Sequence, residues 1–391
     1  MSSNDYDGDR MAPGQGTGDG ASVAGERAMD LFHDRRRLVT GLVALILLVV
    51  AIYLVFPKLV GLDDAFVRLG DAVWYWLIVA AAFSVASFAA YGALFRGILR
   101  GARDEELWRR LDVRASYRIT MASLAASRIF SAGGAGGIAL TYWALRKAGL
   151  ERRRAACRMT AFLAVMYLVY LLALVIFGVL LRTGVLPGES PAGGTIVPAA
   201  AAGLLLLVIG LIALIPGDVE RRLDSLSRGH QRLSHVAARL ATGPAIIATG
   251  IRTAIDYVRR PRRGALALAG ALGFWAANIG ILWASFEAFS GDVPFGVLVQ
   301  GFFFGMIANL LPSPAGGVGA VDAGMIASFL LFGVDASIVF PAILAYRVMA
   351  FWLPIPPGIV AYFQLRHTVA EWENEPDGYT LQTEVKAAEP A

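Results

Sequence analysis

Long apolar runs separated by short, arginine-rich polar stretches dominate this chain. About 20 apolar residues in helical form are enough to cross the hydrocarbon core of a bilayer, so the pattern predicts membrane-spanning helices. These are predicted at 38–56, 74–95, 159–181, 196–215, 264–286 and 336–353. Two further apolar segments, 115–145 and 295–333, are interrupted in the middle by glycine and proline.

The arginines predict which side of the membrane each connection occupies. Basic residues cluster before the first run and in the segments 96–114, 146–158 and 216–263. Short basic connections stay on the cytoplasmic side. Because both flanks of 115–145 are basic, this segment is predicted to enter the bilayer and return to the same face. By the parity of the remaining spans, 295–333 does the same from the external face.

The two interruptions have similar sequences. The first lies in "ASRIFSAGGAGGIALTYWAL" (126–145) and the second in "LLPSPAGGVGAVDAG" (310–324). Irregular backbone at membrane depth is tolerated where protein or a water-filled cavity surrounds it. The predicted fold is therefore an all-α polytopic integral membrane protein with about six to eight membrane segments. It adds two glycine-broken re-entrant hairpins, an arrangement consistent with an inverted-topology repeat.

Composition supports one membrane domain with polar ends. Hydrophobic residues make up 57% of the chain and the mean hydropathy is +0.60. We predict a disordered cytoplasmic tail at 1–34, a transmembrane domain at 35–370 and a disordered tail at 371–391. Within the domain, 216–263 is predicted to be a basic, helical cytoplasmic segment. It either lies on the inner leaflet or forms a solvated helix pair.

Several functional classes have no support in the sequence. The only cysteine is Cys157, and the four histidines are scattered without metal-ligand spacing. No sequence motif of a nucleotide-binding loop, metalloprotease or nucleophile elbow is present. We therefore expect no cofactor, no metal and no catalytic residue, although a membrane transferase using isolated Asp and Arg residues stays open. The net charge of +5 reflects the cytoplasmic arginines, so nucleic acid is not an expected partner.

The interruptions are the best candidates for a binding site. A helix that restarts after a break presents unpaired N–H groups and a partial positive charge, which suit phosphate or carboxylate. Intramembrane charges usually face a functional cavity or a partner, and Asp322 is the natural partner of Arg347. The candidate substrate-binding residues are Arg128, Gly133, Gly134, Gly136, Pro314, Gly316, Gly317, Gly319, Asp322 and Arg347.

Structural roles compete with these assignments. Glycines in membrane helices also permit close packing, and an Asp322–Arg347 pair could merely lock the fold. Arg158 is expected to extend its side chain to the membrane surface. Asn278, Gln300 and Asn309 either line a cavity or bond to a neighbouring helix.

The C-terminal half resembles a known family. The segment 309–358 is similar to the signature of the lysylphosphatidylglycerol synthase transmembrane region, also called the flippase-like domain. The matching positions are Pro314, Gly316, Gly317, Gly319, Asp322, Gly333, Tyr346, Arg347, Pro357 and Gly358. Three features depart from the family pattern. Ala315 separates Pro314 from the glycine pair, and Asp322 stands where Glu is more usual. The first half also lacks the acidic and basic residues that many members carry around their first interruption. The substrate of the best-known members is therefore not carried over.

The resemblance implies translocation of an anionic-headgroup lipid, such as a phospholipid, polyprenyl-phosphate or glycolipid, between membrane leaflets. It also implies that the synthase activity of fused members, which needs a soluble aminoacyl-transferase domain, is absent here. We expect a plasma membrane protein with both termini cytoplasmic and with membrane lipids as its partners. The alternatives are a secondary transporter of a small anionic solute and a non-catalytic membrane subunit that docks a lipid- or glycan-synthesis enzyme. The sequence does not indicate an oligomeric state.

Overall fold

A computed structural model describes residues 72–100, 110–129, 135–214, 247–310 and 319–374. Helices and their connections account for these residues, and no strand occurs among them. The helices are α1 (Trp74–Leu99), α2 (Val113–Ile129), α3 (Ala135–Lys147), α4 (Arg152–Arg182), α5 (Ile196–Leu214), α6 (247–259), α7 (Pro261–Glu287), α8 (Phe295–Gly305), α9 (Ala320–Leu331), α10 (Ala336–Arg347) and α11 (Ile355–Asn374). A 3-10 turn, Met306–Leu310, follows α8, and a π-helical turn, Val348–Trp352, follows α10.

The predicted all-α membrane architecture is confirmed. Within the described ranges, five helical stretches are long and apolar enough to cross a membrane: Trp74–Leu99, Arg152–Arg182, Ile196–Ala213, Gly264–Glu287 and Ala336–Glu373. Helix α5 exposes most of its leucines, which suits a position facing lipid. The predicted first span, 38–56, lies outside the described residues.

Helix α11 lies beyond the last predicted span, 336–353, in a segment that contains Pro354, Pro356 and Pro357, and prolines usually end or kink a helix. In the structure Pro356 and Pro357 lie in the first turn of α11, where a missing N–H costs no hydrogen bond. The helix packs against α2 and continues to Asn374, beyond the domain boundary expected at 370. Its end is tied to α3 by the Lys147–Glu373 ion pair. Of the predicted cytoplasmic segment 216–263, residues 216–246 lie outside the described ranges and 247–259 are helical.

Small residues let α1 and α7 pack very closely. A Cβ added at Gly97 would lie 2.5 Å from the backbone nitrogen of Ala267, and one added at Gly270 would lie 2.3 Å from that of Leu94. Close backbone approach of this kind is a main source of helix association in membranes, where dispersion contacts replace the hydrophobic effect. Among the described helices, α1 and α7 have the most extensive contact with each other.

The first predicted hairpin consists of α2 and α3, which pack against each other on either side of residues 130–134. Gly137 on α3 approaches α2 so closely that an added Cβ would lie 2.4 Å from the carbonyl oxygen of Ser123. The hydroxyls of Ser123 and Thr141 are 2.7 Å apart and form a hydrogen bond between the two helices. The two helical flanks of this segment therefore pack together, as a hairpin requires, while residues 130–134 lie outside the described residues.

The second hairpin consists of α8, with its 3-10 extension, and α9. A Cβ added at Gly305 would lie 2.6 Å from the Cα of Met325, and Ser328 Oγ donates to the carbonyl of Gly301 over 2.8 Å. Each hairpin is thus held by a glycine contact and a hydroxyl hydrogen bond. Each also follows one member of the α1–α7 pair and precedes a further helix, so the order helix, hairpin, helix occurs twice.

We expect Gly137→Ala to destabilise the protein by about 1–3 kcal/mol, because the new methyl group overpacks the α2–α3 contact. Gly210→Ala on α5 is the matched control, since no atom lies within 4 Å of a Cβ added there. Thermal unfolding in detergent should show a lower midpoint for Gly137→Ala. The control should equal or exceed wild type, because alanine favours helix. A Gly137→Ala midpoint at or above that of wild type would contradict the close packing of the hairpin.

Candidate functional site

The structure brings three of the predicted site residues together. Arg128 lies at the end of α2, Asp322 in the first turn of α9, and Arg347 at the end of α10. Gly319 immediately precedes α9, and Gly136 lies in the first turn of α3. The remaining predicted positions, Gly133, Gly134, Pro314, Gly316 and Gly317, lie outside the described residues.

Asp322 and Arg347 form the predicted ion pair. Arg347 Nε donates to Asp322 Oδ1 over 2.5 Å, and each residue is only 6% exposed. Taking two charges out of water is costly, and good hydrogen-bond geometry offsets part of that cost. The pair connects α9, which follows the second break, to α10.

The second oxygen of Asp322 caps its own helix. Asp322 Oδ2 accepts from the backbone N–H of Gly319 over 3.0 Å, and Gly319 has a left-handed φ of 85°. Glycine adopts this conformation without the penalty that a side chain would bring. The carboxylate therefore compensates the partial positive charge at the start of α9. This differs from the expectation that both restarting helices offer their N-termini to an anion. The first turn of α3, by contrast, contains no acidic residue.

The π-helical turn after Arg347 links this pair to the first hairpin. A π-turn departs from the i−4 hydrogen-bond pattern, and such turns are frequent at functional sites. Here the carbonyl of Met349 accepts from Ser84 Oγ of α1 over 2.8 Å. The carbonyl of Ala350 accepts from Arg128 Nη2 over 2.7 Å. The segment beyond Arg347 is thus tied directly to the end of α2.

Two guanidinium groups share one aromatic ring at this junction. The Cζ atoms of Arg128 and Arg347 lie 5.8 Å and 5.1 Å from the centroid of the Phe351 ring. Both distances fit cation–π attraction. The two guanidinium groups are also close enough to repel each other electrostatically. Since Asp322 neutralises one of the two charges, the group formed by Arg128, Arg347 and Asp322 keeps one positive charge.

Arg128 carries an unused hydrogen-bond donor. Its Nη1 atom is buried and has no hydrogen-bond partner among the described residues. Buried donors are rarely left unpaired, and a charged donor at membrane depth usually faces a binding site. The rings of Tyr91 and Tyr346 lie within electrostatic range of this guanidinium. Arg128 is therefore the side chain best placed to receive an anionic ligand.

A cavity of about 180 Å³ lies between α1, the α2–α3 hairpin and α4. Its polar lining is provided by Tyr91, Thr120, Ser127, Thr141, Arg158, Tyr167 and Asn309. Gly137 and Ile138, from the first turn of α3, also line it. The cavity thus combines hydroxyl groups, an arginine and the start of α3, where no acidic residue offsets the partial positive charge. One of its lining residues, Ser127, precedes Arg128 in the sequence.

Arg158 lies near the start of α4, where it lines the cavity and donates through Nη1 to the carbonyl of Ile98 over 2.8 Å. The expectation that its side chain extends to the membrane surface stays a prediction. Ser127 and Thr141 were not predicted as site residues. Their hydroxyls bond to the carbonyls of Ser123 and Gly137 four residues earlier, as serine and threonine commonly do in membrane helices. Their sequence therefore gave no signal that they face a cavity.

The three polar residues left open by the sequence have different roles. Asn309 lines the cavity. Gln300 donates to the carbonyl of Gly194 over 3.0 Å and so joins α8 to the segment before α5. Asn278 donates to the carbonyl of Phe274 within its own helix. Only Asn309 therefore belongs to the candidate site.

Two comparisons show which known proteins this chain is similar to. A family model described as the lysylphosphatidylglycerol synthase TM region matches residues 41–358. A UPF0104 membrane protein of Methanothermobacter thermautotrophicus is 29% identical over 97 residues. That match covers 25% of this chain and 29% of the relative, so the similar region spans less than a third of the relative's length. The similarity is consistent with a function related to membrane lipids.

Proposed function

Because this chain belongs to the family of the lysylphosphatidylglycerol synthase TM region, we propose that it moves a lipid with an anionic headgroup between the leaflets of a plasma membrane. Both termini would lie in the cytoplasm, as the arginine distribution indicates. The protein would act on lipids without changing their covalent structure. Membrane lipids would then be its substrates as well as its surroundings.

The observation that carries this proposal is the buried Nη1 of Arg128, which has no hydrogen-bond partner among the described residues and lies where the first hairpin meets the turn after α10. Its guanidinium belongs to a group with one net positive charge, which matches the single negative charge of a phosphodiester. A charge-assisted hydrogen bond to phosphate would satisfy the donor and neutralise the charge together. The adjacent start of α3 would add N–H donors for the same anion.

The cavity favours a lipid over a small soluble anion. Its lining includes Ile138 and Tyr167, which are 40% and 49% exposed. Exposed apolar and aromatic side chains beside the cavity suit contact with acyl chains. Its volume of about 180 Å³ is below the roughly 300–1,000 Å³ typical of sites that enclose a whole drug-sized ligand. A headgroup would fit inside while its chains remained in the bilayer.

The repeated order of helix, hairpin and helix supports a mechanism in which two halves move against each other. Transporters built from inverted repeats place broken helices at a midplane site and rock one repeat about it. Here Arg128 of the first hairpin bonds to Ala350 after α10, Arg347 of α10 pairs with Asp322 of the second hairpin, and α1 packs against α7. A rocking motion of this kind would exchange contacts between the two halves, the Arg128–Ala350 hydrogen bond among them.

Reconstitution tests lipid transport against solute transport. Proteoliposomes would carry fluorescent phosphatidylglycerol for a leaflet-exchange assay, and matched vesicles would be tested for uptake of radiolabelled glycerol 3-phosphate. We expect exchange of the lipid above the level of empty liposomes and no protein-dependent uptake of the solute. Solute uptake without lipid exchange would replace this proposal with secondary transport of a small anion.

A further inference from the structure

We propose that the cavity between α1, α2, α3 and α4 selects headgroups that carry a phosphate charge and no ammonium group, with Arg158 as the residue that determines this selectivity. The inference rests on the proposed function, since it names the class of headgroup that the site would load. It also assigns a role to an arginine that lies outside the Arg128, Arg347 and Asp322 group.

Arg158, on α4, is held in a fixed position by contacts with two other helices, α1 and α6. Its Nη1 on α4 donates to the carbonyl of Ile98 on α1 over 2.8 Å and lies 3.3 Å from the hydroxyl of Tyr257 on α6. The same hydroxyl lies 3.3 Å from the Ile98 carbonyl. A guanidinium fixed in this way loses less side-chain freedom when it binds a phosphate. Its place in the cavity wall makes it a preorganised anion contact.

The cavity has a positive charge at one end, supplied by Arg158. Arg158 and Tyr167 both line it and are nine residues apart on α4, which corresponds to about 13 Å along the helix axis. Tyr91, which also lines the cavity, lies within electrostatic range of both Arg128 and Tyr167. The cavity therefore extends from Arg158 towards the surroundings of Arg128. Under the proposed orientation, Arg158 lies at the end nearer the cytoplasm.

Nothing charged in this cavity favours a cation. None of the described residues that line it carries a carboxylate. The nearby buried carboxylate, Asp322, is bound to Arg347 and to the N–H of Gly319. Two of the aromatic residues in the wall, Tyr91 and Phe162, pack edge to face with ring centroids 5.0 Å apart. An ammonium group would enter a low-dielectric space beside Arg158 without a counter-ion, which is unfavourable.

A purely structural role for Arg158 makes a different prediction. If the residue only joins α4 to α1 and α6, its replacement would lower stability and affect all headgroups alike. If it binds the phosphate of a net-anionic headgroup, its replacement would remove the preference among headgroups. Selectivity is therefore the property to measure, because a packing defect would not change it.

The test uses the purified full chain and water-soluble short-chain lipids. Binding of dihexanoyl phosphatidylglycerol, dihexanoyl phosphatidylethanolamine and glycerol 3-phosphate would be measured by calorimetry for wild type, Arg158→Gln, Arg158→Lys and Arg154→Gln. Arg154 is the matched control, because it lies on the same helix with 75% of its side chain exposed. A thermal unfolding midpoint for each variant would establish that it is folded.

We expect wild type to bind phosphatidylglycerol about tenfold or more tightly than phosphatidylethanolamine. Arg158→Gln should lose that preference, Arg158→Lys should retain much of it, and Arg154→Gln should match wild type. Equal binding of the two lipids by wild type, or an unchanged preference in Arg158→Gln, would overturn the inference. Glycerol 3-phosphate binding as tightly as phosphatidylglycerol would also overturn it, since the ligand would then be a soluble phosphate.

This result is separable from the test of transport. Headgroup selectivity without leaflet exchange would support the site and remove the proposed transport. Leaflet exchange at equal rates for both lipids would support transport and remove the selectivity.

Discussion

Replacement of Arg128 by glutamine should lower the rate of leaflet exchange about tenfold or more while the protein remains folded. Glutamine keeps a polar amide at this position but ends two bonds short of Nη2, the atom through which Arg128 reaches the carbonyl of Ala350 over 2.7 Å. It lacks the positive charge and the second donor, Nη1, which has no partner among the described residues. A hydrogen bond to a charged group contributes about 1.5–3 kcal/mol, and 1.4 kcal/mol corresponds to a factor of ten.

Arg114→Gln is the matched control for this prediction. Arg114 lies on the same helix but is exposed. Reconstitution at equal protein density, with both variants checked for monodispersity, should leave exchange by Arg114→Gln at the wild-type rate. If Arg128→Gln exchanged lipid as fast as wild type, Arg128 would have no role in binding the headgroup, and the α3 start with its neighbouring hydroxyls would become the remaining candidate.

Single neutralisation of either member of the Asp322–Arg347 pair should have the largest effect on stability. Both side chains are less than 10% exposed, and removal of one partner leaves the other charge buried. Breaking a buried pair in this way costs about 3–5 kcal/mol. We expect Asp322→Asn and Arg347→Gln each to lower the unfolding midpoint strongly. The double variant should lose much less than the sum of the two, because no unpaired charge remains.

A double-mutant cycle measured by thermal or denaturant unfolding in detergent checks this coupling. Asp335→Asn is the control, since Asp335 is exposed and caps α10 through Ser337, and asparagine is an equally good N-cap. Additive losses in the double variant would mean that the two side chains do not stabilise each other. A folded double variant that still exchanged lipid would also show that the pair stabilises the fold without contacting the substrate.

The membrane spans and the ion pair were predictable because each rests on a strong local rule. An apolar run of sufficient length crosses a bilayer, and a buried arginine needs a nearby carboxylate. Between Arg263 and Arg347 the chain contains no lysine, arginine or histidine, so Arg347 was the nearest basic residue with which Asp322 could pair. The glycine and proline interruptions likewise indicated the two hairpins.

The rest of the site depends on tertiary packing. Arg158 has the sequence context of a surface arginine, and only the approach of Ile98 and Tyr257 turns it into the cavity wall. The π-helical turn at Val348–Trp352 has no sequence rule, yet it presents the Ala350 carbonyl to Arg128. Helix α11 was missed because prolines usually end helices, whereas two of these prolines lie in its first turn.

The most direct test of the central claim is the initial rate at which wild-type protein exchanges fluorescent phosphatidylglycerol between the leaflets of proteoliposomes. The rate would be measured as a function of protein density. We predict that it rises in proportion to protein density and exceeds that of phosphatidylethanolamine. A rate equal to that of protein-free liposomes at every density, with folded and correctly inserted protein, would contradict the claim that this protein moves an anionic lipid across the membrane.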